Sequence, residues 1–502
     1  MGLRWRDPSR PGDARFSVLL AATALLLLAA ALLGLPFWLA PVAAALITAA
    51  LLAAWRLDDA PLTGVIVRAS FGAALVLLGA SGLVKGELAR LFMAAPAVPL
   101  GEALLRWGAV TAIAVALARR ERLHPARHIR DARGTRAVHD PSYEFAAAFL
   151  GYGLVAQIVP ATWLPVATAL GLLAVTEFGE RRWVGPALGA RQILALIAFG
   201  WAVWPLAFWA THGLRALLGV PMLVTGVPAP GMVLWRLLVP AALLAAALAR
   251  GWRALPPLAR GWSVAPLAVT GLVAVHSLYK LVFMIDGPAR FTTWGLAERS
   301  LWELLLIAAA LLLWRVWAWR RAALALLAVA AAHWGWFTLL LHDPLWSDQA
   351  VGGLPIVNLL LPMMAVPVLA TWGALRIAPE AREFVDQPVQ LGAMALILLY
   401  AYASLRQIFV GGLLDLPGLD PTENVLRSVL AILLAIGYLL WGIRSGRRIW
   451  RLASLVLMSL AVAKVFLFDA AGLQGLLRIA SFMALGFSLI GIGWLYSRTL
   501  RA

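Results

Sequence analysis

The sequence predicts an all-α fold, a polytopic transmembrane helical bundle, and three observations support this class. Hydrophobic residues make up 63% of the 502 residues and charged residues 13%, whereas soluble domains have about 45–50% and about 25%. The mean hydropathy of the chain is +0.87. Apolar runs such as Phe16–Gly34 are long and do not alternate with polar residues. They fit spanning helices of about 20 residues rather than barrel strands of about ten.

About sixteen runs are long enough to cross a bilayer as helices. The first run is closely followed by a second and lacks a small-residue cleavage site, so we expect a membrane helix there and not a signal peptide. In chain order the predicted spans are 16–34, 37–55, 63–83, 102–118, 143–160, 161–178, 187–211, 231–249, 262–284, 300–319, 322–341, 354–375, 389–410, 424–443, 450–469 and 477–497.

The distribution of basic residues predicts the orientation of these spans, because Lys and Arg accumulate in cytoplasmic loops. With the amino terminus inside, about 26 basic residues fall in inner segments and about five in outer loops. This places both termini in the cytoplasm. The inner segments include Arg4–Arg15, Arg119–Arg136, Arg181–Arg182, Arg250–Arg260, Arg320–Arg321, Arg444–Arg448 and Arg498–Arg501. The net charge of +18 therefore indicates topology and not nucleic-acid binding.

Charge and hydropathy together predict a cytoplasmic tail and three further regions. The tail is 1–15, N-terminal membrane helices occupy 16–118, a basic cytoplasmic loop occupies 119–140, and the main bundle occupies 141–502. The basic loop either attracts anionic lipid headgroups or only fixes the topology. Membrane lipids are thus the partners that the composition predicts.

Several kinds of chemistry are excluded by patterns that the sequence lacks. There is no cysteine, which excludes disulfides, thiolate metal sites and a cysteine nucleophile. The Walker A, His-Glu-x-x-His and Gly-x-Ser-x-Gly patterns do not occur, and we expect neither a cofactor nor a metal site. Gly151-Tyr152-Gly153 lies in an apolar span, so it predicts helix packing instead of a dinucleotide turn.

Lysine is rare, and each lysine falls at the outer end of a predicted span with an acid shortly after it. The pairs are Lys85 with Glu87, Lys280 with Asp286 and Lys464 with Asp469. Their regular placement along the spans is either a trace of duplication or chance. If the pairs form, they predict salt bridges or a shared outward cavity.

A larger group of ionisable side chains gathers toward the outer ends of spans in the C-terminal half. Such groups are costly in hydrocarbon and usually face protein or water. Two interpretations stay open. The charges either pair with one another as anchors at helix ends, or line an outward polar cavity that receives an anionic headgroup, phosphate or carboxylate. The candidate ligand-binding residues are Lys280, Arg406, Arg427, Lys464, Asp469, Arg478, His342, Asp343 and Asn358.

The segment His342–Asn358 runs from an outer loop into a span and contains HDPLW and VGGLPIVN. A Pro- and Gly-rich entrance followed by asparagine fits an unwound or re-entrant helix start that lines a cavity. It fits equally well an ordinary helix cap with an interhelical hydrogen bond from Asn358.

The C-terminal stretch Ala463–Arg498 reads AKVFLFDAAGLQGLLRIASFMALGFSLIGIGWLYSR. Together with His342–Asn358, it resembles a bacterial family of predicted multi-pass membrane proteins, catalogued as domain of unknown function 2339. The resemblance implies a helical bundle in a bacterial inner membrane. It supplies no established activity and no catalytic residues.

The sequence therefore predicts an inner-membrane protein that binds or moves an anionic or amphiphilic envelope component through an outward-facing polar cavity. One alternative is an enzyme acting on a lipid-linked glycan, with Asp343, Asp415 or Asp469 as base and His342 or His333 as proton shuttle. A close carboxylate–histidine pair in a cavity would favour that enzyme, whereas pairing of the acids with arginine alone would count against it. The other alternative is a non-catalytic envelope scaffold, which predicts no cavity.

Overall fold

The computed structural model describes residues 14–58, 61–94, 99–123, 127–131, 134–138, 141–182, 187–255 and 257–465, with positions 483, 486, 487 and 490. Within these residues the chain is helical apart from one two-stranded hairpin. The helical fold that the apolar runs predict is therefore confirmed for this part of the chain.

The helices follow the predicted spans in order, separated by short connections. They are α1 (Ala14–Gly34), α2 (Ala40–Asp58), α3 (Pro61–Lys85), α4 (Leu100–Leu123), α5 (Ser142–Ile158), α6 (Leu164–Arg182), α7 (Leu188–Leu217), α8 (Pro230–Gly251), α9 (Pro257–Phe283), α10 (Pro288–Trp317), α11 (Arg320–Leu341), α12 (Leu360–Ile377), α13 (Arg382–Val410), α14 (Pro421–Arg444) and α15 (Arg448–Lys464). Two of them contain wide π-helical turns, at Val233–Leu238 in α8 and at Trp334–Leu341 in α11.

The hairpin lies in the predicted basic loop and departs from the all-helical prediction. Strands β1 (Arg127–Asp131) and β2 (Gly134–Val138) pair antiparallel, with Arg127 opposite Val138. The segment is too rich in arginine to enter a bilayer, so its backbone groups pair with each other outside the helices.

Twelve helices of the described part are long and apolar enough to cross a membrane, namely α1–α4 and α7–α14. The predicted spans 143–160 and 450–469 correspond to α5 and α15, which have 17 residues each. The predicted span 161–178 corresponds to α6, whose apolar part is Leu164–Phe178. The last predicted span, 477–497, has no continuous stretch among the described residues.

The chain forms two compact units. Unit 1 comprises Met1–Thr211 and Gly226–Leu278, and unit 2 comprises His212–Thr225 and Tyr279–Ala502. The boundaries 16–118, 119–140 and 141–502 that the sequence suggests stay predictions.

The core of unit 1 contains the tightest helix packing, between α4 and α5. A Cβ atom at Gly153 would lie 2.0 Å from the Trp107 ring, so only glycine fits there. Trp107 is 1% exposed, and Val110 and Ala156 are buried in the same core. The helix-packing interpretation of this segment is confirmed for Gly153, whereas a Cβ atom at Gly151 would meet nothing within 4 Å.

The core of unit 2 is built from α10, α11 and α12. Leu306 and Ala310 of α10 pack with Leu327 and Ala330 of α11 and with Val366 of α12. Small residues at this contact allow the helix backbones to approach closely. The same packing fixes the polar first half of α10 beside the end of α11.

Candidate functional site

The candidate residues in the described part of the chain lie where helices of unit 2 end or begin, or in the loop between two of them. Lys280 lies in the last turn of α9, Arg406 near the end of α13, Arg427 in the second turn of α14, and Lys464 at the end of α15. His342, Asp343 and Asn358 lie in the loop 342–359 between α11 and α12. Asp469 and Arg478 lie outside the described residues.

Lys280 forms an ion pair with Glu298 of α10, not with Asp286 as the spacing predicts. Its Nζ lies 2.7 Å from Glu298 Oε1, and the Glu298 side chain is 3% exposed. Asp286 cannot share a helix face with Lys280, because α9 ends at Phe283. Asp286 lies beyond that end, where its Oδ2 is 3.9 Å from Arg290 Nη1.

Glu303 is the most deeply buried acid of α10, and it is paired with a histidine. Its Oε1 lies 2.8 Å from His333 Nδ1 and accepts a hydrogen bond of 2.7 Å from Thr338 Oγ1. Glu303 is 0% exposed. Thr338 lies within the wide turn Trp334–Leu341, which begins directly after His333. In this wider turn, residues five apart lie on the same face, so both side chains reach the same carboxyl oxygen. Wide turns of this kind occur frequently at functional sites.

Arg299, also on α10, holds the loop 342–359 in place. Its Nη2 donates to Gln349 Oε1 at 2.8 Å and to the His342 carbonyl at 3.2 Å. Its guanidinium lies 5.2 Å from the Phe291 ring centroid. Arg299 is 7% exposed. Its Nε and Nη1 are buried and have no hydrogen-bond partner among the described residues.

His342 and Asp343 follow α11 directly and have shifted pKa values. Burial raises the pKa of Asp343 to about 6, while the Leu345 N–H and Arg299 act in the opposite direction. Burial, followed by repulsion from Arg299, lowers the pKa of His342 to about 4. The Asp343 Oδ1 accepts a 2.9 Å bond from the Leu345 N–H. Its Oδ2 is buried without a partner in the described structure.

We call this set the α10 network; it comprises Lys280, Glu298, Arg299, Glu303, His333, Thr338, His342, Asp343 and Gln349. Two further acids lie nearby, Asp348 in the loop 342–359 and Asp415 in the connection between α13 and α14. Burial of Asp415, followed by its hydrogen bond with Asp348 and repulsion from it, raises the pKa of Asp415.

A second network connects α13 with α14. Arg406 Nη1 donates to Glu423 Oε2 at 2.7 Å, and Arg427 Nη2 donates to Glu423 Oε1 at 2.6 Å. The Glu423–Arg427 pair is the one that their spacing of four residues predicts. Arg406 also donates to the carbonyls of Leu414 and Leu416. Glu423 is 0% exposed, so these two candidate cations neutralise a buried carboxylate.

Lys464 contacts α14 through neutral oxygens. Its Nζ donates to Ser428 Oγ at 2.6 Å and to the Asn424 carbonyl at 3.0 Å. The predicted pairing with Asp469 lies outside the described residues and stays a prediction.

Asn358 forms a helix cap and an interhelical bond. Its Oδ1 accepts a 2.8 Å bond from the Leu360 N–H, where α12 begins, and its Nδ2 donates to Gln407 of α13. Gln407 in turn donates to the Gly352 carbonyl at 2.9 Å. The cap and the interhelical bond that one interpretation predicts are both present, and a role of this stretch in lining a cavity stays a prediction.

The loop 342–359 is strained as well as anchored. Ile356 has φ of +70°, which is unfavourable for a β-branched residue, and its carbonyl accepts a 2.5 Å bond from the Tyr400 hydroxyl. Strain of this kind persists only where surrounding contacts fix the backbone, and it concentrates at functional sites.

Neutral side chains carry contacts that charge patterns alone do not predict. Gln349 and Gln407 connect the loop 342–359 to α10 and α13. Gln407 directly follows Arg406 near the end of a mostly apolar span. An amide beside an arginine at that depth is the signal by which it could have been found.

Two cavities, of about 520 Å³ and 610 Å³, lie in unit 1 and have mostly apolar walls. The larger contains Arg122 and Glu144 in its wall and the smaller contains Arg191 and Arg236. No cluster of three or more histidine or acidic side chains in the described residues could hold a metal ion.

Comparisons with known proteins place the chain in one family. No curated protein and no solved structure matches it. The family model described as "Predicted membrane protein (DUF2339)" matches residues 12–499, nearly the whole chain. The resemblance carried by the C-terminal stretch is thus confirmed, and the chain belongs to this family of membrane proteins.

Proposed function

We propose that this protein binds, and moves across or within the bacterial inner membrane, an amphiphilic envelope component whose hydroxyl-bearing headgroup contacts the α10 network. In this proposal the chain has about sixteen spans with both termini in the cytoplasm. The network then faces the periplasm, where envelope components are assembled.

The observation that carries the proposal is a mixture of unpartnered donors and acceptors. Arg299 Nε and Nη1 are donors, while Asp343 Oδ2 and Glu303 Oε2 are carboxyl oxygens, and all four are buried without partners among the described residues. Leaving such atoms unpaired costs about 1–3 kcal/mol each. A hydroxyl both donates and accepts, so a sugar or polyol headgroup supplies partners for both kinds of atom.

The charge balance favours a hydroxyl-bearing headgroup over a bare anion. Among the described residues at the polar end of unit 2, eight acidic side chains stand against seven basic ones. The bases are Arg215, Lys280, Arg290, Arg299, Arg406, Arg427 and Lys464, and the acids are Asp286, Glu298, Glu303, Asp343, Asp348, Asp415, Asp420 and Glu423. Lys280, Arg406 and Arg427 are paired with glutamates. An isolated phosphate would meet repulsion from the surplus carboxylates.

Binding of a defined amphiphile tests the proposal. The probe is a polyprenyl phosphate carrying one hexose, and the matched probe is the same lipid without the sugar; both are titrated against the purified protein in nanodiscs. We expect saturable binding that depends on the sugar. Arg299→Gln and Asp343→Asn should each weaken it about 10–100-fold, because each loses a hydrogen bond that involves a charged group.

Arg447→Gln is the control variant, since Arg447 belongs to an exposed ion pair with Asp386 at 3.2 Å. It should bind the sugar-bearing probe as the unaltered protein does. Equal binding of both probes, or unchanged binding in folded Arg299→Gln and Asp343→Asn, would overturn the proposal.

The proposed topology can be tested separately because the chain has no cysteine. Single cysteines at Arg447 and at Asp286 are labelled in intact cells with a membrane-impermeant maleimide. We expect labelling at position 286 only. Labelling at position 447 in intact cells would contradict the cytoplasmic placement of the α14–α15 connection.

The Glu303–His333 pair favours a second candidate, an enzyme that acts on a lipid-linked glycan. A buried carboxylate that orients a histidine is an arrangement used in general acid–base catalysis. The sequence assigned the proton shuttle to His333 or His342, and the structure gives His333 a carboxylate partner in Glu303. The base candidates Asp343 and Asp415 stay proposals.

Product analysis distinguishes the two functions. Incubation of the sugar-bearing lipid with the protein should leave it intact if the protein only binds or moves it. Release of sugar that is lost in Glu303→Gln and in His333→Ala, with binding retained, would establish the enzyme. Loss of binding in both variants without any product would favour the first function.

A further inference from the structure

The smaller cavity of unit 1 is a groove along α7 and α8, with α6 and α9 contributing to its walls. Its volume of about 520 Å³ is in the range of about 300–1,000 Å³ that is typical of small-molecule sites. Leu172, Ala195, Ala198, Leu244 and Leu267 give it a predominantly apolar wall. Three of the four helices that line it, α7, α8 and α9, are long and apolar enough to cross a membrane.

The groove is about as long as one leaflet of a bilayer. On α7 it extends from Leu188 to Ala202, which corresponds to ~21 Å of helix at 1.5 Å per residue. A bilayer with its headgroup regions is about 40–45 Å thick. A single acyl chain from one leaflet therefore matches the length and the apolar character of the groove.

Arginines line the groove at two places, and the larger positive charge is at the Arg191 end. Arg236 lines the part near Ala202, with its guanidinium 5.1 Å from the Trp201 ring centroid. Arg191, 8% exposed, lines the other end and donates to the Thr176 carbonyl at 3.2 Å. Arg260 donates at 3.0 Å to the carbonyl of Leu255, which also lines the groove. Exposed Trp262 lies beside them, as aromatic residues do at the membrane–water interface.

Among the described residues near the Arg191 end, basic side chains outnumber acidic ones. Glu177 pairs with Arg250 at 2.6 Å, and Glu144 pairs with Arg122 at 2.5 Å. Arg191, Arg253 and Arg260 add positive charge to those two pairs. The net positive charge at the end of an apolar groove complements an anionic headgroup attached to an acyl chain.

We infer that this groove binds an anionic phospholipid, with one acyl chain between α7 and α8 and the phosphate at the Arg191 end. The apolar wall alone gives little selectivity, because a chain that enters it leaves an equally apolar bilayer. Selectivity must come from the headgroup charge and from the shape of the groove. This site is in unit 1 and does not depend on the function proposed for the α10 network.

Native mass spectrometry of the full chain released from detergent tests the inference, with phosphatidylglycerol as probe and phosphatidylcholine as neutral comparison. We expect at least tenfold more retained phosphatidylglycerol than phosphatidylcholine. Leu244→Trp and Ala195→Phe fill the groove from two helices and should remove most of the retained lipid. Arg191→Gln should abolish the preference for phosphatidylglycerol.

Ala246→Trp is the matched control, because Ala246 is exposed on α8 and does not line the groove. It should retain phosphatidylglycerol as the unaltered protein does. The inference is overturned if the folded groove-filling variants retain as much lipid as Ala246→Trp, or if Arg191→Gln keeps the full preference. Use of two filling variants on different helices guards against misfolding of one.

Discussion

The α3–α4 pair of unit 1 and, in unit 2, the last turn of α9 with α10 contain the same motif with different outcomes. In each, a lysine near the end of the first helix pairs with a glutamate in the first turns of the second. The pairs are Lys85 with Glu102 at 3.5 Å and Lys280 with Glu298 at 2.7 Å. Each second helix also carries a fully or nearly fully buried arginine, Arg106 or Arg299.

The two arginines differ in how completely their donors are used. Arg106 directs its three guanidinium nitrogens at Glu87 and Glu102, and Trp107 Nε1 adds a 3.0 Å bond to Glu87. Arg299 uses only Nη2 for protein acceptors within the described residues. Burial of charge is therefore not by itself a sign of a site. A closed network stabilises helix packing, and an open one leaves atoms for a ligand.

The largest expected effect comes from breaking the closed network. Glu87→Gln leaves Arg106 buried with only Glu102 as a charged partner, and we expect a loss of about 3 kcal/mol in the free energy of unfolding. Glu102→Gln, at a side chain that is 31% exposed, should cost less than about 1 kcal/mol. Reversible unfolding in mixed micelles measures both. Equal losses would show that the network is not closed around Glu87.

The two lysines give a matched comparison between the units. Lys280→Gln should cost about 2 kcal/mol, because Glu298 is 3% exposed and loses its ion-pair partner. Lys85→Gln should cost less than about 1 kcal/mol, because the pair is about one-third exposed and Arg106 also contacts Glu102. The same unfolding assay applies. A larger loss in Lys85→Gln would reverse the comparison.

The open network should also respond to pH through two neighbours with opposite signs. Asp343 has a pKa near 6 against 3.8 when unfolded, so it makes the protein less stable as the pH rises from about 4 to about 6. His342 has a pKa near 4 against 6.5 when unfolded, so it makes the protein less stable as the pH falls from about 6.5 to about 4.

Single variants separate these opposed contributions. In His342→Gln the free energy of unfolding should fall by about 2 kcal/mol between pH 4 and pH 6, because only the Asp343 contribution remains. In Asp343→Asn the free energy of unfolding should fall by a similar amount as the pH is lowered from 6 to 4, because only the His342 contribution remains. The unaltered protein should show a weaker dependence than either. Parallel pH profiles of all three proteins would contradict the assigned pKa shifts.

The smallest effect is expected at an exposed pair outside both networks. Arg447 and Asp386 are each 47% exposed. Arg447→Gln should change the free energy of unfolding by less than about 0.5 kcal/mol. A change above about 1 kcal/mol would show that solvent exposure does not separate the ion pairs of this protein as described.

Hydropathy predicts the helices well but not all of their limits. The predicted span 300–319 corresponds to α10, which begins earlier, at Pro288. The additional turns contain Glu298 and Arg299, whose polarity lowers the hydropathy of the segment. Because their charges are paired or buried within the protein, the helix continues through them. A hydropathy window records only the side chain and not its partner.

The partners of the charged residues could be predicted only in part. The Glu423–Arg427 pair follows from helix periodicity. The partner of Lys280 does not, because it depends on where α9 ends and on which face of α10 packs against it. The cap formed by Asn358 was one of two open interpretations. Gln349 and Gln407 gave no charge signal, although they connect the loop 342–359 to the helices.

The wide turn Trp334–Leu341 has a consequence for the evolution of the α10 network. A π turn holds one more residue than an α turn, so the five residues from His333 to Thr338 complete about one turn and both side chains reach Glu303. In a regular α-helix of the same sequence, at about 100° per residue, Thr338 would lie about 140° around the helix from His333 and would no longer face the carboxyl oxygen that His333 contacts. Deletion of one residue between them would restore α-helical geometry and keep both side chains on one face. The length of this one turn therefore sets the register between the membrane helix and the polar loop that follows it.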